Sequence, residues 1–221
     1  MADFERARVK MVENQLRANK VTDDRLVEAM RVLPRERFVP TARRSVAYAD
    51  EDLPLGGGRW LMEPMLFARL AQLAAVRPGD LALDVGAGGG YGAAALGKLA
   101  SAVVALEEDE ELAAQATQTL SELEGGVGDN VVVAVGPLAE GWGEQAPYDV
   151  ILCEGAIEAR PDTLLEQLAE GGRLVAMQAE PSGVQRGVVY FKQGGRIAMR
   201  AVFDGSTPVL PGFARAPAFT F

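Results

Sequence analysis

The sequence predicts an α/β fold with a doubly wound, mostly parallel sheet, N-terminal helices and a C-terminal antiparallel hairpin. Three observations predict it. Short apolar runs of strand length alternate with Ala- and Leu-rich helical patterns from residue 81 onward. A glycine-rich turn joins the first of these runs to the first helix, and two strand-like runs flank Gln-Gly-Gly near the C-terminus. Alternating strands and helices form parallel βαβ units, and two strands joined by a tight turn form a hairpin.

The N-terminal part is predicted to form two helices. Apolar residues recur at helical spacing in 9–16 and again in 26–30. Thr22, followed by Asp23 and Asp24, is typical of a cap between them, because acidic residues are favoured in the first turn of a helix.

The middle of the chain contains a loop, a helix and then the alternating pattern. Residues 53–64, LPLGGGRWLMEP, are predicted to form a loop because three glycines stand between two prolines. Residues 65–76 then show a helical pattern. The predicted parallel strands are LALDVG, AVVALE, NVVVAVG, YDVILCEG and GGRLVAMQ, and helices are expected near 91–100, 110–123 and 162–169.

The length of 221 residues predicts one domain. We divide it into a helical extension over 1–50, a core over 51–182 and C-terminal strands over 183–221. With 48% hydrophobic and 24% charged residues, the chain is able to bury a substantial core.

Composition excludes several kinds of chemistry. The chain has no histidine and one cysteine, Cys153, so His-based triads, His proton shuttles, disulfide frameworks and His- or Cys-based metal sites within one chain are not expected. The net charge of −9 argues against a general nucleic-acid partner. A charged N-terminus and the lack of a long apolar run predict no secretion signal and no membrane span, hence a cytoplasmic protein.

The glycine-rich turn DVGAGGG, residues 84–90, predicts a ligand site because backbone and helix N–H groups approach a ligand closely there. A phosphate-binding loop is one interpretation, since 92–98 match its spacing, but Leu99 stands where Ser or Thr should hold magnesium. A dinucleotide site is another. It would place its third glycine at Tyr91, whose ring obstructs close packing of helix and strand.

An S-adenosylmethionine site fits the turn best. Asp84, Gly86, Gly88 and Gly90 match the pattern acid-x-Gly-x-Gly-x-Gly. Glu107 ends the next predicted strand, where a carboxylate with two oxygens accepts both ribose hydroxyls. A glycine turn alone is weak evidence, and the acidic run after this strand also favours a plain helix N-terminus. The joint pattern is what predicts the cofactor.

The motifs MVENQLRANKVTDDRLVEAMRVLPRERFVP, LDVGAGGGYGAAALGKLA and YDVILCEGA resemble those of the protein-L-isoaspartate O-methyltransferase family, and the likeness extends over residues 8–212. The resemblance implies a class I, Rossmann-like S-adenosylmethionine-dependent methyltransferase that methylates a carboxylate of a protein or peptide. No general base is required, since that carboxylate is already ionised at neutral pH. The implied cofactor-binding residues are Asp84, Gly86, Ala87, Gly88, Gly90, Glu107, Glu108 and Leu138.

The chain departs from the family pattern in the loop 53–64, where the family reads close to LPIGxGQTISQP. Arg59, Trp60 and Met62 stand where the family has Gln, Thr and Ser. The family's Thr and Ser hold the isoaspartyl carboxylate, so the resemblance implies weaker capture here, and a poor isoaspartyl methyltransferase or none at all. Arg59 offers a substitute, a bidentate fork to the carboxylate. Alternatively, Trp60 and Met62 simply pack into the core.

The second departure follows the third predicted strand, and the fourth predicted strand ends in two further candidate residues. GPLAEGW replaces the family's GDGxxGW, which puts Pro137 in place of an acid near the adenine and leaves Leu138 to cover the ring. Cys153 and Glu154 are expected to end the fourth strand at the mouth of the site. Cys153 suits a buried apolar position. Glu154 is either solvated or aimed at the reacting groups, where it would repel an anionic substrate.

These departures leave alternatives open. If the altered loop no longer binds an isoaspartyl carboxylate, the chain is a methyltransferase with a different acceptor or a non-catalytic S-adenosylmethionine-binding protein. A nicotinamide-dependent oxidoreductase is the alternative if the glycines hold a dinucleotide. Affinity for S-adenosylmethionine and for NAD distinguishes them.

Overall fold

The computed structural model describes residues 3–215, and its regular elements follow the predicted order. The α-helices of that part are α1 (Phe4–Met11), α2 (Asp24–Val32), α3 (Pro64–Ala74), α4 (Tyr91–Gly97), α5 (Glu110–Ser121) and α6 (Asp162–Glu166). Its strands are β1 (Leu53–Gly56), β2 (Arg59–Leu61), β3 (Leu81–Val85), β4 (Ala102–Glu107), β5 (Val131–Val135), β6 (Tyr148–Ile157), β7 (Leu168–Ala179), β8 (Gln185–Gln193) and β9 (Arg196–Asp204).

Strands β3 to β9 form one seven-stranded sheet in the order β5-β4-β3-β6-β7-β8-β9. The pairs β3–β4, β4–β5, β3–β6 and β6–β7 are parallel, whereas β7–β8 and β8–β9 are antiparallel. This confirms the predicted doubly wound sheet with its C-terminal hairpin. The strand order reverses between β3 and β6, and ligands of open α/β sheets bind at the carboxyl ends of the strands at such a point.

The N-terminal helices pack into the same hydrophobic core as the sheet. Met11 and Leu16 belong to one buried cluster with residues of β3 and β6. After α1 the chain continues through a wider π turn and a 3₁₀ turn before α2 begins. The cap of α2 is Asp23 and not Thr22, because the Asp23 carboxylate accepts the backbone N–H groups of Arg25 and Leu26.

The prediction of a loop over 53–64 was wrong, because this segment contains a β-hairpin. Strands β1 and β2 are antiparallel, with Leu53 opposite Leu61. Gly57 and Gly58 have φ of 55° and 75°, which lets the chain reverse in a tight turn. Leu53, Leu55 and Leu61 are buried in the core. Their alternation with exposed neighbours is the strand signal that the glycines and prolines obscured.

Two other boundaries differ from the prediction. The helix expected over 162–169 ends at Glu166, and strand β7 begins at Leu168. Strand β6 does not end near Glu154. It continues to Ile157 because β7 and the C-terminal segment both supply partners: Ala156 lies opposite Met177, and its N–H donates to Pro208 O at 2.9 Å. The last six residues of the expected C-terminal strand region, 216–221, lie outside the described residues.

Within residues 3–215 no helix has both the length and the apolar character needed to cross a lipid bilayer.

Candidate functional site

The glycine-rich turn lies at the carboxyl end of β3, at the reversal of strand order. Gly86, Gly88 and Gly90 have φ of 84°, 54° and 91°, in a region that side-chain-bearing residues rarely adopt. The N–H groups of Gly86 and Ala87 both donate to Leu106 O on β4, at 2.9 and 3.0 Å. The turn is therefore fixed to the neighbouring strand and presents bare backbone toward the crevice.

Glu107, the last residue of β4, has a fully buried carboxylate beside this turn. It accepts the Gly88 N–H at 2.7 Å and the N–H groups of Glu108 and Asp109 at 2.9 and 3.1 Å. The side chain thus joins the glycine turn to the start of α5. Glu107 lies where the sequence motif predicts a ribose acceptor.

Arg59 of β2 forms a buried ion pair with Glu107. Its Nε lies 3.1 and 3.3 Å from the two carboxylate oxygens, and its Nη2 lies 3.2 Å from Oε2. The Nη2 atom also lies 2.6 Å from where a Cβ on Gly86 would stand. The guanidinium therefore crosses the glycine turn. Sequence reasoning singled out both residues but assigned them to different ligands, and it did not predict this contact.

Asp84 and Glu154 form a second buried acidic pair on adjacent strands. Asp84 on β3 lies beside Leu152 of β6, and Glu154 follows in a segment where the β6–β7 register shifts. Such an irregularity redirects a side chain. The two carboxyls lie within hydrogen-bonding reach of each other. Without a proton between them, neither Asp84 oxygen has a partner among the described residues, and neither has Glu154 Oε1.

Burial raises the pKa of Asp84 to about 7 and holds the pKa of Glu154 well above its usual range. The mutual proximity of the two acids raises the pKa of Glu154 further, whereas Arg59 acts against the shift on both. At neutral pH the pair therefore retains a proton, which makes it a weaker source of repulsion toward an anion than two carboxylates would be.

Trp60 and Met62 are the other two residues predicted for the acceptor loop, and neither side chain forms a contact with Glu107 like that of Arg59. Trp60 is 37% exposed on the outer face of β2, and Met62 is buried in the core. The Met62 carbonyl accepts Arg35 Nη2 at 2.6 Å, and the guanidinium of Arg35 lies 4.7 Å from the ring centroid of Tyr91. Arg35 is thus a second buried cation near the acidic pair, found only from the structure.

A cavity of about 440 Å³ opens beside the Arg59–Glu107 pair. Its lining residues are Gly57, Arg59, Glu108, Asp109, Gly136 and Pro137. Pro137 therefore lines it, as the comparison of GPLAEGW with the family motif suggested. Leu138 and Ala87 are buried and do not line it.

A larger cleft of about 790 Å³ lies away from the carboxyl ends of the strands, between α2 and the end of α4. Two of the polar side chains around it are already used in the fold. Arg25 donates to Val76 O and Leu99 O, and Asn130 donates to Gly97 O. The described part of the chain shows no group of three metal-ligating side chains either. The strand ends carry the candidate site.

Replacing Asp84 by asparagine is expected to stabilise the protein at alkaline pH. An acid with a raised pKa in the folded state makes the fold less stable as pH rises from the unfolded value of 3.8 to the folded value of about 7. Asparagine carries no charge at any pH, so the melting temperature of the variant should exceed that of the parent by about 3 °C or more at pH 8 and by less at pH 5. Thermal unfolding across this range measures the difference.

Asp162→Asn, which removes only an exposed ion pair with Arg160, is the matched control and should shift the melting temperature little, and equally at pH 5 and pH 8. Equal melting temperatures for Asp84→Asn and the parent at pH 8 would contradict a buried, proton-sharing pair.

Comparison with known protein families gives a match over residues 6–205, to the family described as "Protein-L-isoaspartate(D-aspartate) O-methyltransferase". A relative from Anaeromyxobacter sp. (strain Fw109-5), "Protein-L-isoaspartate O-methyltransferase 2", is 45% identical over 85% of this chain and 76% of its own length. A second relative, "Protein-L-isoaspartate O-methyltransferase" from Koribacter versatilis, is 40% identical over 92% of this chain and 90% of its own length.

Solved structures agree on the fold. A structure from Plasmodium falciparum, described as a protein-L-isoaspartate O-methyltransferase in complex with S-adenosyl-L-homocysteine, superposes with a TM-score of 0.79 at 21% identity, covering 95% of this chain and 99% of that one. Another protein-L-isoaspartate O-methyltransferase gives a TM-score of 0.78 at 24% identity, over 93% of this chain and 66% of that one. At these identities the likeness shows the fold alone.

Proposed function

Because the chain belongs to the protein-L-isoaspartate(D-aspartate) O-methyltransferase family, we propose that it transfers a methyl group from S-adenosylmethionine to a carboxylate of isoaspartyl residues in peptides and proteins. The observation that carries the proposal is the site at the strand ends, where a glycine turn with three left-handed glycines meets the buried carboxylate of Glu107. The comparisons do not favour a non-catalytic protein or a different acceptor.

The residues present fit S-adenosylmethionine. A side chain on Gly86 or Gly88 would meet Arg59 or Leu55 at 2.6 Å, so the turn offers only backbone to a ligand. The cavity beside Glu107 has room for a purine ring, since about 440 Å³ lies within the range of small-molecule sites. Asp84, whose oxygens receive no donor from the fold other than the proton shared with Glu154, suits the cationic amino-acid part of the ligand.

The chain's residues bind and orient the reactants. Glu107 would accept the ribose hydroxyls, and the glycine turn would carry the tail past the end of β3 toward Asp84. S-Adenosylmethionine supplies a methyl group on a positively charged sulfur, which an ionised carboxylate attacks directly. The remaining task of the protein is to hold the two in line and to exclude water. The complete absence of histidine from the sequence agrees with a reaction that needs no general base.

The acceptor side of the site differs from the family pattern described above. Trp60 and Met62 supply no hydroxyl, and one is exposed while the other is buried in the core. Arg59 is the nearest cation on the hairpin for an incoming carboxylate. We therefore expect methylation with a high KM for the isoaspartyl peptide, because each lost hydrogen bond to a charged group weakens capture by about tenfold or more.

Methyl transfer to a synthetic isoaspartyl peptide, compared with its aspartyl twin, tests the proposal. The parent protein is expected to methylate the isoaspartyl peptide in the presence of S-adenosylmethionine and to leave the twin unmodified. Mass spectrometry detects the ester and locates it on the peptide. Equal modification of both peptides, or none of either at millimolar peptide, would contradict the proposed acceptor.

A further inference from the structure

The carboxylate of Glu107 is saturated with donors from the protein itself. Three backbone N–H groups, from Gly88, Glu108 and Asp109, point at it, and Arg59 adds two N–H groups from Nε and Nη2. A carboxylate offers about four lone-pair positions to donors. Five N–H groups therefore leave no place for the two hydroxyls of a ribose.

We propose that Arg59 is a specificity-determining residue that occupies the ribose acceptor until the cofactor displaces it, and that the released guanidinium then receives the acceptor carboxylate. The exchange is balanced in donors, since two ribose O–H groups replace two N–H groups on the same carboxylate. The proposal rests on the proposed function for the nature of both ligands.

Displacement leaves a cation without its partner in the site. Arg59 is only 3% exposed, and a buried charge that loses its partner is strongly unfavourable. The other acids close by, Asp84 and Glu154, share a proton, so together they compensate the charge of the guanidinium less well than two carboxylates would. An incoming carboxylate satisfies it, in a fork geometry that arginine suits well. Cofactor binding therefore creates the acceptor site.

Arg59 is the cation free to move, whereas Arg35 is held in place. Arg35 donates to Ala47 O at 2.8 Å and to Met62 O at 2.6 Å, and it stacks on Tyr91. Apart from the Glu107 carboxylate, no acceptor in the described part of the chain receives a hydrogen bond from the guanidinium of Arg59. Arg59 is carried by the short hairpin β1–β2, so it leaves Glu107 without breaking a helix or a strand of the main sheet.

Calorimetric titration with S-adenosylhomocysteine and with 5′-methylthioadenosine tests the first step. The second ligand carries the ribose but lacks the amino-acid tail. Arg59→Ala is expected to bind both at least about tenfold more tightly than the parent, because neither has to displace the guanidinium. Arg59→Gln keeps one donor group for Glu107, so its affinity for both ligands should lie between those of the parent and of Arg59→Ala. This variant remains usable if the alanine variant does not fold. Arg31→Ala, which removes two exposed ion pairs, should bind like the parent.

Unchanged or weaker binding of 5′-methylthioadenosine by both Arg59 variants would overturn the proposal. The proposal would also be overturned if the Arg59 variants bound S-adenosylhomocysteine more weakly than the parent but bound 5′-methylthioadenosine normally. In that case the guanidinium would be holding the carboxylate of the cofactor tail.

Binding of an isoaspartyl peptide with and without saturating S-adenosylhomocysteine tests the second step. The parent should bind the peptide about tenfold more tightly when the nucleoside is present, and the peptide should strengthen nucleoside binding by the same factor. Arg59→Ala and Arg59→Gln should lose this coupling. A parent that binds the peptide equally well in both conditions overturns the second step. A parent that binds no isoaspartyl peptide at all contradicts the proposed function, while the nucleoside titrations still decide whether Arg59 guards Glu107.

Discussion

Replacing Glu107 by alanine is expected to produce the largest combined loss of stability and cofactor affinity in the site. The substitution leaves the buried guanidinium of Arg59 without a partner and removes the acceptor of three backbone N–H groups. Breaking a buried ion pair in this way costs about 3–5 kcal/mol in the free energy of unfolding. Two lost hydrogen bonds to ribose predict about 10²–10⁴-fold weaker binding of S-adenosylhomocysteine.

Urea unfolding and calorimetric titration measure these two effects. The double variant Glu107→Ala with Arg59→Ala is the informative control, because it removes both charges at once. It should be more stable than the sum of the two single changes predicts, since no unpaired charge remains. A Glu107→Ala protein within about 1 kcal/mol of the parent in unfolding free energy would show that the pair is not buried as described.

Replacing Gly88 by valine is expected to abolish cofactor binding and also to destabilise the fold. Gly88 has φ of 54°, and a Cβ there would lie 2.6 Å from Leu55 Cδ1. A branched residue with positive φ costs about 1–3 kcal/mol in backbone strain, and the collision adds about 1–3 kcal/mol. From the sequence alone one would expect such a variant to lose only the ligand, but the contact with Leu55 of the hairpin adds the loss of stability.

Gly125→Val is the matched control for this prediction. Gly125 also has a positive φ, of 74°, but nothing lies within 4 Å of a Cβ at that position. Gly125→Val should therefore lose stability only through backbone strain, without a collision, and should bind S-adenosylhomocysteine like the parent. Retention of full affinity by Gly88→Val would mean that the turn serves packing and does not approach the ligand.

The sequence predicted the sheet well because its signals are local. Each strand from β3 to β7 contains a short apolar run, and helical patterns or turns that separate these runs fix the direction of the strands. The hairpin of β1 and β2 was missed because Gly56 to Gly58 and the flanking prolines gave a loop signal stronger than the alternation of Leu53, Leu55 and Leu61. The extension of β6 was missed because its pairing with β7 resumes only after a register shift, and its second partner lies about 50 residues further along the chain.

The candidate site was predictable in its parts and not in its contacts. Spacing identified the glycine turn, which follows β3, and Glu107, which ends β4, because the ends of these two strands must be adjacent in a parallel sheet. The pairing of Arg59 with Glu107 joins residues 48 positions apart, and no periodicity encodes it. The buried Asp84–Glu154 pair depends on the local irregularity in β6 and could not be anticipated for the same reason.

The structure of this protein with S-adenosylhomocysteine bound tests the central claim most directly, that the glycine turn and Glu107 form the cofactor site. The account predicts both ribose hydroxyls within hydrogen-bonding distance of the Glu107 carboxylate, the purine in the cavity lined by Gly136 and Pro137, and the amino-acid tail beside Asp84. A nucleoside bound elsewhere, with the Arg59–Glu107 pair intact, would contradict it.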